Sequence, residues 1–99
     1  MSFIVEGVTR QDEPDSQVRR IGVYETREEA IAVAKVTVDE FLRREYQAGM
    51  LSSELFSRYQ VQGEHPYIFR DDGTTMSVRT FDHLQYAMLR SAEICEGKN

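Results

Sequence analysis

The sequence predicts an α+β fold in which two β-β-α units form one antiparallel sheet of about four strands, with two main helices on one face. The chain has 99 residues, which is the usual size of a single compact domain, so we treat 1–99 as one domain. The two halves, 1–49 and 50–99, show the same order of patterns: strand, loop, strand, and a threonine-capped helix before a glycine. A lone hairpin is marginal in water, so the two units would need each other to bury a core.

The first unit opens with two strand patterns separated by turn-forming residues. Residues 3–9 are short, β-branched and apolar, and the segment 11–16 is polar and contains Pro14. Residues 18–24 then alternate again, with Ile21 and Val23 expected on one face. These two strands should form a hairpin.

At Thr26 the period changes from that of a strand to that of a helix. Thr26 and Glu29 have the spacing of a capping box, and Gly49 is expected to stop the helix by allowing a left-handed cap. The positions expected to form its apolar stripe are Ala30, Ile31, Ala34, Val38, Phe41 and Leu42. Those expected on its far side are Lys35, Asp39 and Arg43.

The second unit is less regular than the first. Residues 51–59 suggest a short helical turn, and residues 59–62 then alternate like a strand. Residues 63–66 predict a break, after which residues 67–70 read as a strand. The Asp71-Asp72-Gly73 turn predicts a hairpin to a partner strand over residues 75–79.

A last helix is expected between Thr80, as its cap, and Gly97, just past its end. The residues expected on its inward face are Phe81, Leu84, Met88, Ala92 and Cys95.

Charge and cysteine content exclude several classes of protein. The formal net charge is −5, which opposes binding to a phosphate backbone unless a local basic patch overcomes it. Cys95 is the only cysteine, which excludes an intramolecular disulfide and a multi-cysteine metal site. No apolar stretch is long enough for a membrane span, and Glu6 interrupts any signal-like N-terminus. We therefore expect a cytoplasmic protein with no membrane partner and no cofactor.

The candidate catalytic residues are Glu64 and His65. They lie in the predicted 63–66 loop, where a Glu-His pair could transfer a proton. His83 is expected to be a solvated or interface residue. Cys95 is expected in an apolar environment, where a thiol is inert. The pair Asp71 and Asp72 is explained by turn chemistry and lacks the ligand spacing of a calcium loop.

The candidate interaction residues are arginines and tyrosines on the sheet. Arg10, Arg19 and Arg20 form the best basic cluster, although acidic residues in the same hairpin would cancel its field. A sheet covered on one face would leave aromatic residues on the other, and tyrosine and arginine are enriched at protein interfaces. The interaction residues we expect are Arg19, Arg20, Tyr24, Tyr59 and Tyr67, with Phe3 or Ile4 beside them.

Common enzyme motifs are absent, so the sequence favours a small non-enzymatic interaction or regulatory module that binds itself as a homodimer or binds another protein. One alternative is a small enzyme or ligand-binding protein with a site around Glu64 and His65. Another is a weak nucleic-acid binder acting through Arg10, Arg19 and Arg20. An enzyme needs Glu64 and His65 to line a cavity, whereas an interaction module does not.

Overall fold

The computed structural model describes residues 2–9, 17–70 and 81–96, which form three antiparallel strands and three helices. In chain order the elements are β1 (Phe3–Thr9), β2 (Gln17–Tyr24), α1 (Arg27–Glu45), α2 (Ser52–Gln62), β3 (Glu64–Arg70) and α3 (His83–Cys95). The α+β class is therefore confirmed. No helix within the described ranges is long and apolar enough to cross a membrane.

The described sheet has the order β2-β1-β3, with both neighbours antiparallel to the central strand. The predicted β1–β2 hairpin pairing is confirmed, and Phe3 lies opposite Tyr24. A β-bulge interrupts this ladder between Val5 and Glu6, where Ile21 is the extra residue on β2. On the other side of β1, Val5 lies opposite Ile68.

Helix α1 begins and packs as its sequence predicts. The Thr26 hydroxyl accepts a hydrogen bond from the Glu29 amide (3.1 Å) and donates one to the Glu29 carboxylate (3.0 Å). The buried residues of α1 are Ala30, Ala34, Val38, Phe41 and Leu42, all from the predicted stripe. The helix ends at Glu45, before the predicted stop at Gly49, whose φ of 86° instead serves the turn that follows.

Residues 59–62 are helical, so the prediction of a strand there was wrong. Tyr59 lies one turn after Leu55, and both side chains are fully buried in the core that α2 forms with α1 and α3. The spacing of Tyr59 and Val61 fits the period of a strand and that of a helix. The helix forms because it buries Leu55 and Tyr59 on one face. The helix runs to Gly63, and residues 63–66 do not form the predicted loop because β3 starts at Glu64.

Helix α3 differs from its prediction in both its start and its orientation. Asp82 is its N-cap, in place of the predicted Thr80, and accepts hydrogen bonds from the amides of Leu84 and Gln85 at 3.1 Å. Its buried residues are His83, Ala87, Ser91 and Ile94. The predicted inward residues Leu84 and Met88 are instead 39% and 51% exposed. Small side chains at positions 87 and 91 let α3 pack closely on α1 and α2, which a stripe of large residues would prevent.

The predicted sheet of about four strands and the predicted duplication were not found in the described part of the chain. The described sheet has three strands: residues 59–62 belong to α2, and the predicted strand at residues 75–79 lies outside the described residues. Helix α1 packs on all three strands, whereas α2 and α3 pack mainly on α1 and on each other, so the two main helices do not share one face of the sheet. The predicted turn at Asp71-Asp72-Gly73, the strand at residues 75–79, Thr80 and Gly97 lie outside the described residues.

Candidate functional site

The sheet has two faces with different surroundings. One face packs against α1 through Val5 and Ile68, which form a buried cluster with Ala30 and Ala34. Strand alternation and the register place the neighbouring residues on the opposite face, where no described helix is laid along the strands. We call this the open sheet face. The register places on it Ile4, Glu6, Val8, Val18, Arg20, Val23, His65, Tyr67 and Phe69. At its β3 edge His83, the first residue of α3, packs against His65 and Tyr67, so the face is open mainly along β1 and β2.

The open sheet face is mostly apolar and contains one ion pair. Val18 is 63% exposed and Val23 is 52% exposed, although both belong to a regular strand. Glu6 and Arg20 lie opposite each other in the β1–β2 ladder, with Arg20 Nη2 3.9 Å from Glu6 Oε2. The pair leaves this face without net charge.

Two of the five predicted interaction residues, Arg20 and Tyr67, lie on the open sheet face. Arg19 and Tyr24 lie on the opposite face, and Phe3 is with them; Ile4 is on the open face. Tyr59 is fully buried in α2, where its hydroxyl donates a hydrogen bond to the Glu64 carbonyl (3.1 Å). Burial raises the pKa of Tyr59, and this residue has no exposed surface to offer a partner.

A polar cleft of about 350 Å³ opens where the last turns of α1 pass over the strand ends. Its sheet side carries Arg19 and Glu64, and its helix side carries Glu40 and Arg44, one turn apart on α1. Phe41 and several uncharged polar side chains, among them Thr37, complete the walls. The cleft therefore combines two guanidinium groups with two carboxylates.

Arg19 and Glu64 form a two-point ion pair across the central strand. Arg19 Nε donates to Glu64 Oε2 (3.0 Å), and Arg19 Nη2 donates to Glu64 Oε1 (2.7 Å). Their strands are separated by β1, and the side chains meet over Gly7, where any β-carbon would overlap the Glu64 carboxylate. The hydrogen bonds that Arg19 donates to Glu64, followed by the negative charge of Glu64, raise the pKa of Arg19. Sequence reasoning missed this site, and a glycine inside β1 was the signal that could have indicated it.

Glu64 and His65, the predicted catalytic pair, point to opposite sides of β3. Glu64 lines the polar cleft, but His65 does not and is only 3% exposed. The ring of His65 lies against Tyr59, with centroids 4.8 Å apart, and against His83, with centroids 5.0 Å apart. The prediction that His65 is displayed on a loop was wrong, because the residue belongs to a strand flanked by helices.

His83 was predicted to be a solvated or interface residue; it is buried within the chain and therefore not solvated. Its ring contacts His65 and also Tyr67, at a centroid distance of 5.1 Å. Burial, with a smaller contribution from the charge of His65, lowers the pKa of His83 to about 4. His83 is therefore neutral at pH 7, and it does not line the polar cleft. The two histidines pack together, and neither lines the polar cleft.

Cys95 is half-buried beside the core of α1, α2 and α3. Burial raises the pKa of its thiol, which disfavours the reactive thiolate. The negative charges of Glu54 and Glu96 raise the pKa of the thiol further.

The predicted basic cluster is divided by the fold. Arg19 and Arg20 are adjacent on β2 and therefore point to opposite faces, where they face Glu64 and Glu6 respectively. Arg10 lies outside the described residues. The two described arginines do not add their charges on one surface.

Histidine, cysteine and acidic side chains do not gather into a metal-binding group anywhere in the described ranges. Among the described residues, the surface features set out above are the open sheet face and the polar cleft. Comparison with protein-family models, with curated proteins and with solved structures found no match.

Proposed function

We propose that this protein is a small cytosolic interaction module that forms a homodimer through its open sheet face. The observation that carries the proposal is the exposure of Val18 and Val23, at 63% and 52%, on the same face as Ile4, Val8 and Phe69. Contiguous apolar surface of this kind marks interaction sites more often than isolated exposed residues do. The cytosol is the compartment that suits a chain with a single, free cysteine.

The charge distribution favours a second copy of the same chain as the partner. A two-fold interface places the same patch on both sides, so the patch must complement itself. Glu6 and Arg20 meet this requirement, because rotation about an axis near them brings Glu6 of one copy toward Arg20 of the other. The rest of the surface is acidic overall, with a net charge of −5 for the chain, so two copies should approach through this neutral face.

The size of the face is compatible with a modest dimer. Three strands of about seven residues give a face about 24 Å long and about 14 Å wide. Two such sheets stacked about 10 Å apart would cover roughly 340 Å² on each copy, or on the order of 700 Å² in total, which is below the standard size of specific interfaces and fits a weak dimer. We therefore expect dissociation to be measurable at micromolar concentrations.

Sedimentation equilibrium over a range of concentrations tests the proposal. The wild type should approach twice the 11.5 kDa mass of one chain. Val18→Glu would bury an unpaired charge on each side of the two-fold axis, and should weaken association by about 100-fold or more.

The matched control is Val61→Glu, because Val61 is 65% exposed and belongs to α2, not to the open sheet face. This variant should associate like the wild type. A wild-type chain that remains monomeric at the highest concentration would refute the proposal, as would an equal loss of association in the two variants.

A further inference from the structure

The polar cleft has the size and the balance of charges of a binding site for a small ligand. Its volume of about 350 Å³ is that of a small ligand pocket. Four charged groups line it, the guanidinium groups of Arg19 and Arg44 and the carboxylates of Glu40 and Glu64. The open sheet face plays no part in the cleft, so this site is independent of dimer formation.

The Arg19–Glu64 pair is held in place and keeps unused bonding capacity. The two hydrogen bonds of 3.0 and 2.7 Å use two of the five N–H donors of a guanidinium and one acceptor position on each carboxylate oxygen. The Glu64 side chain is only 20% exposed and rests over Gly7. A ligand would therefore meet a fixed pair that can still donate on one side and accept on the other.

The mixture of charges selects one class of ligand. A simple anion that reached Arg19 would also meet Glu40 and Glu64, and a simple cation would meet Arg19 and Arg44, so each would be partly repelled. A zwitterion, in contrast, carries both charges a few ångströms apart and can pair with both kinds of group. The uncharged polar walls, including Gln17 and Gln62, supply hydrogen bonds for a polar side chain.

We propose that the polar cleft binds a zwitterion of the size of a free amino acid, its carboxylate directed to Arg19 and Arg44 and its ammonium group to Glu40 and Glu64. Arg44 lies on the last turns of α1 with its guanidinium 5.3 Å from the centre of the Phe41 ring. The aromatic ring supports the guanidinium beside the cleft, where it can meet a carboxylate.

The test is a titration of the full chain, labelled with ¹⁵N, with each of the standard amino acids in turn. At least one should shift the Arg19 Nε–H signal and the amide signals of Thr37 and Glu40 with a saturable, millimolar or tighter Kd. The N-acetyl derivative of that amino acid, which lacks the ammonium group, and its α-amide, which lacks the carboxylate, should each bind at least about 10-fold more weakly.

Arg44→Gln should weaken binding by about 10-fold or more without unfolding the chain, because the side chain is 70% exposed and glutamine is a good helix former. The matched control is Arg43→Gln, the neighbouring exposed arginine, which does not line the cleft and should leave the Kd unchanged. The proposal fails if no amino acid shifts these signals, or if the acetylated and amidated forms bind as well as the parent.

Discussion

The buried His83 should make the stability of this protein depend on pH in a defined direction. Burial, with a contribution from the neighbouring His65, lowers the pKa of His83 from 6.5 to about 4 in the folded state. Between these two values the unfolded chain binds a proton at this position and the folded chain does not. Stability is therefore greatest above pH 6.5, falls as the pH decreases through this window, and levels off near pH 4.

The magnitude follows from the two pKa values. Lowering the pH from about 7 to about 5 should reduce the free energy of unfolding by as much as about 2 kcal/mol through this group. Most carboxylates remain ionised at pH 5, so they contribute little to the difference. The side chains around His83 are the rings of His65 and Tyr67 and the carboxylate of its own N-cap, Asp82.

The assay is urea denaturation of the wild type and of His83→Phe, at pH 7 and pH 5 and at one protein concentration. Phenylalanine keeps an aromatic ring against His65 and Tyr67 but cannot bind a proton. The wild type should lose about 2 kcal/mol more than the variant on acidification. An identical loss of unfolding free energy in both proteins would show that His83 does not cause the pH dependence, and would refute this account of its burial.

Two further pairs of variants test an ion pair between α1 and α3 and the charges of the open sheet face. Asp39→Ala removes the acceptor of a 3.0 Å hydrogen bond from Nε of the largely buried Arg90, and should cost about 3 kcal/mol in urea denaturation. Glu93→Ala, which removes a longer and exposed contact to the same arginine, should cost less than about 0.5 kcal/mol, and equal costs would contradict the assignment. Glu6→Arg and Arg20→Glu should each dimerise poorly alone but form a heterodimer when mixed, as native mass spectrometry would detect; failure to form it would argue against pairing of these two side chains between copies.

The first half of the chain was predictable because its signals are local. Alternation defined β1 and β2, and Thr26 with Glu29 defined the start of α1. The prediction of the buried face of α1 was correct because its apolar residues recur with the helical period, and five of them are buried on one face. Only the end of α1 was misjudged, since Gly49 serves the next turn.

The second half depended on contacts that no local pattern specifies. The alternation of residues 59–62 fits a strand and a helix equally well, and the burial of Tyr59 beside Phe41 decides for the helix. Two stripes compete on α3, and the one with the larger apolar residues, Leu84 and Met88, faces outward because close packing requires the smaller residues. Tertiary packing overrides local pattern at these positions.

The polar cleft could not be predicted from the sequence because its charged groups come from distant segments. The sequence paired Glu64 with the adjacent His65. That pairing was wrong, because neighbouring residues on a strand point to opposite faces of the sheet. The true partner of Glu64, Arg19, lies 45 positions away and is reached across Gly7. Only the register of β1 with both of its neighbours brings these two residues together.

The most direct test of dimer formation through the open sheet face is an isotope-filtered NOE experiment on an equimolar mixture of labelled and unlabelled chains. We expect contacts between copies from the methyl groups of Val18 and Val23 to Ile4, Val8 or Phe69 of the other copy. The proposal would be contradicted if these methyl groups gave no contacts between copies. It would also be contradicted if the contacts came from exposed residues of α3, such as Met88.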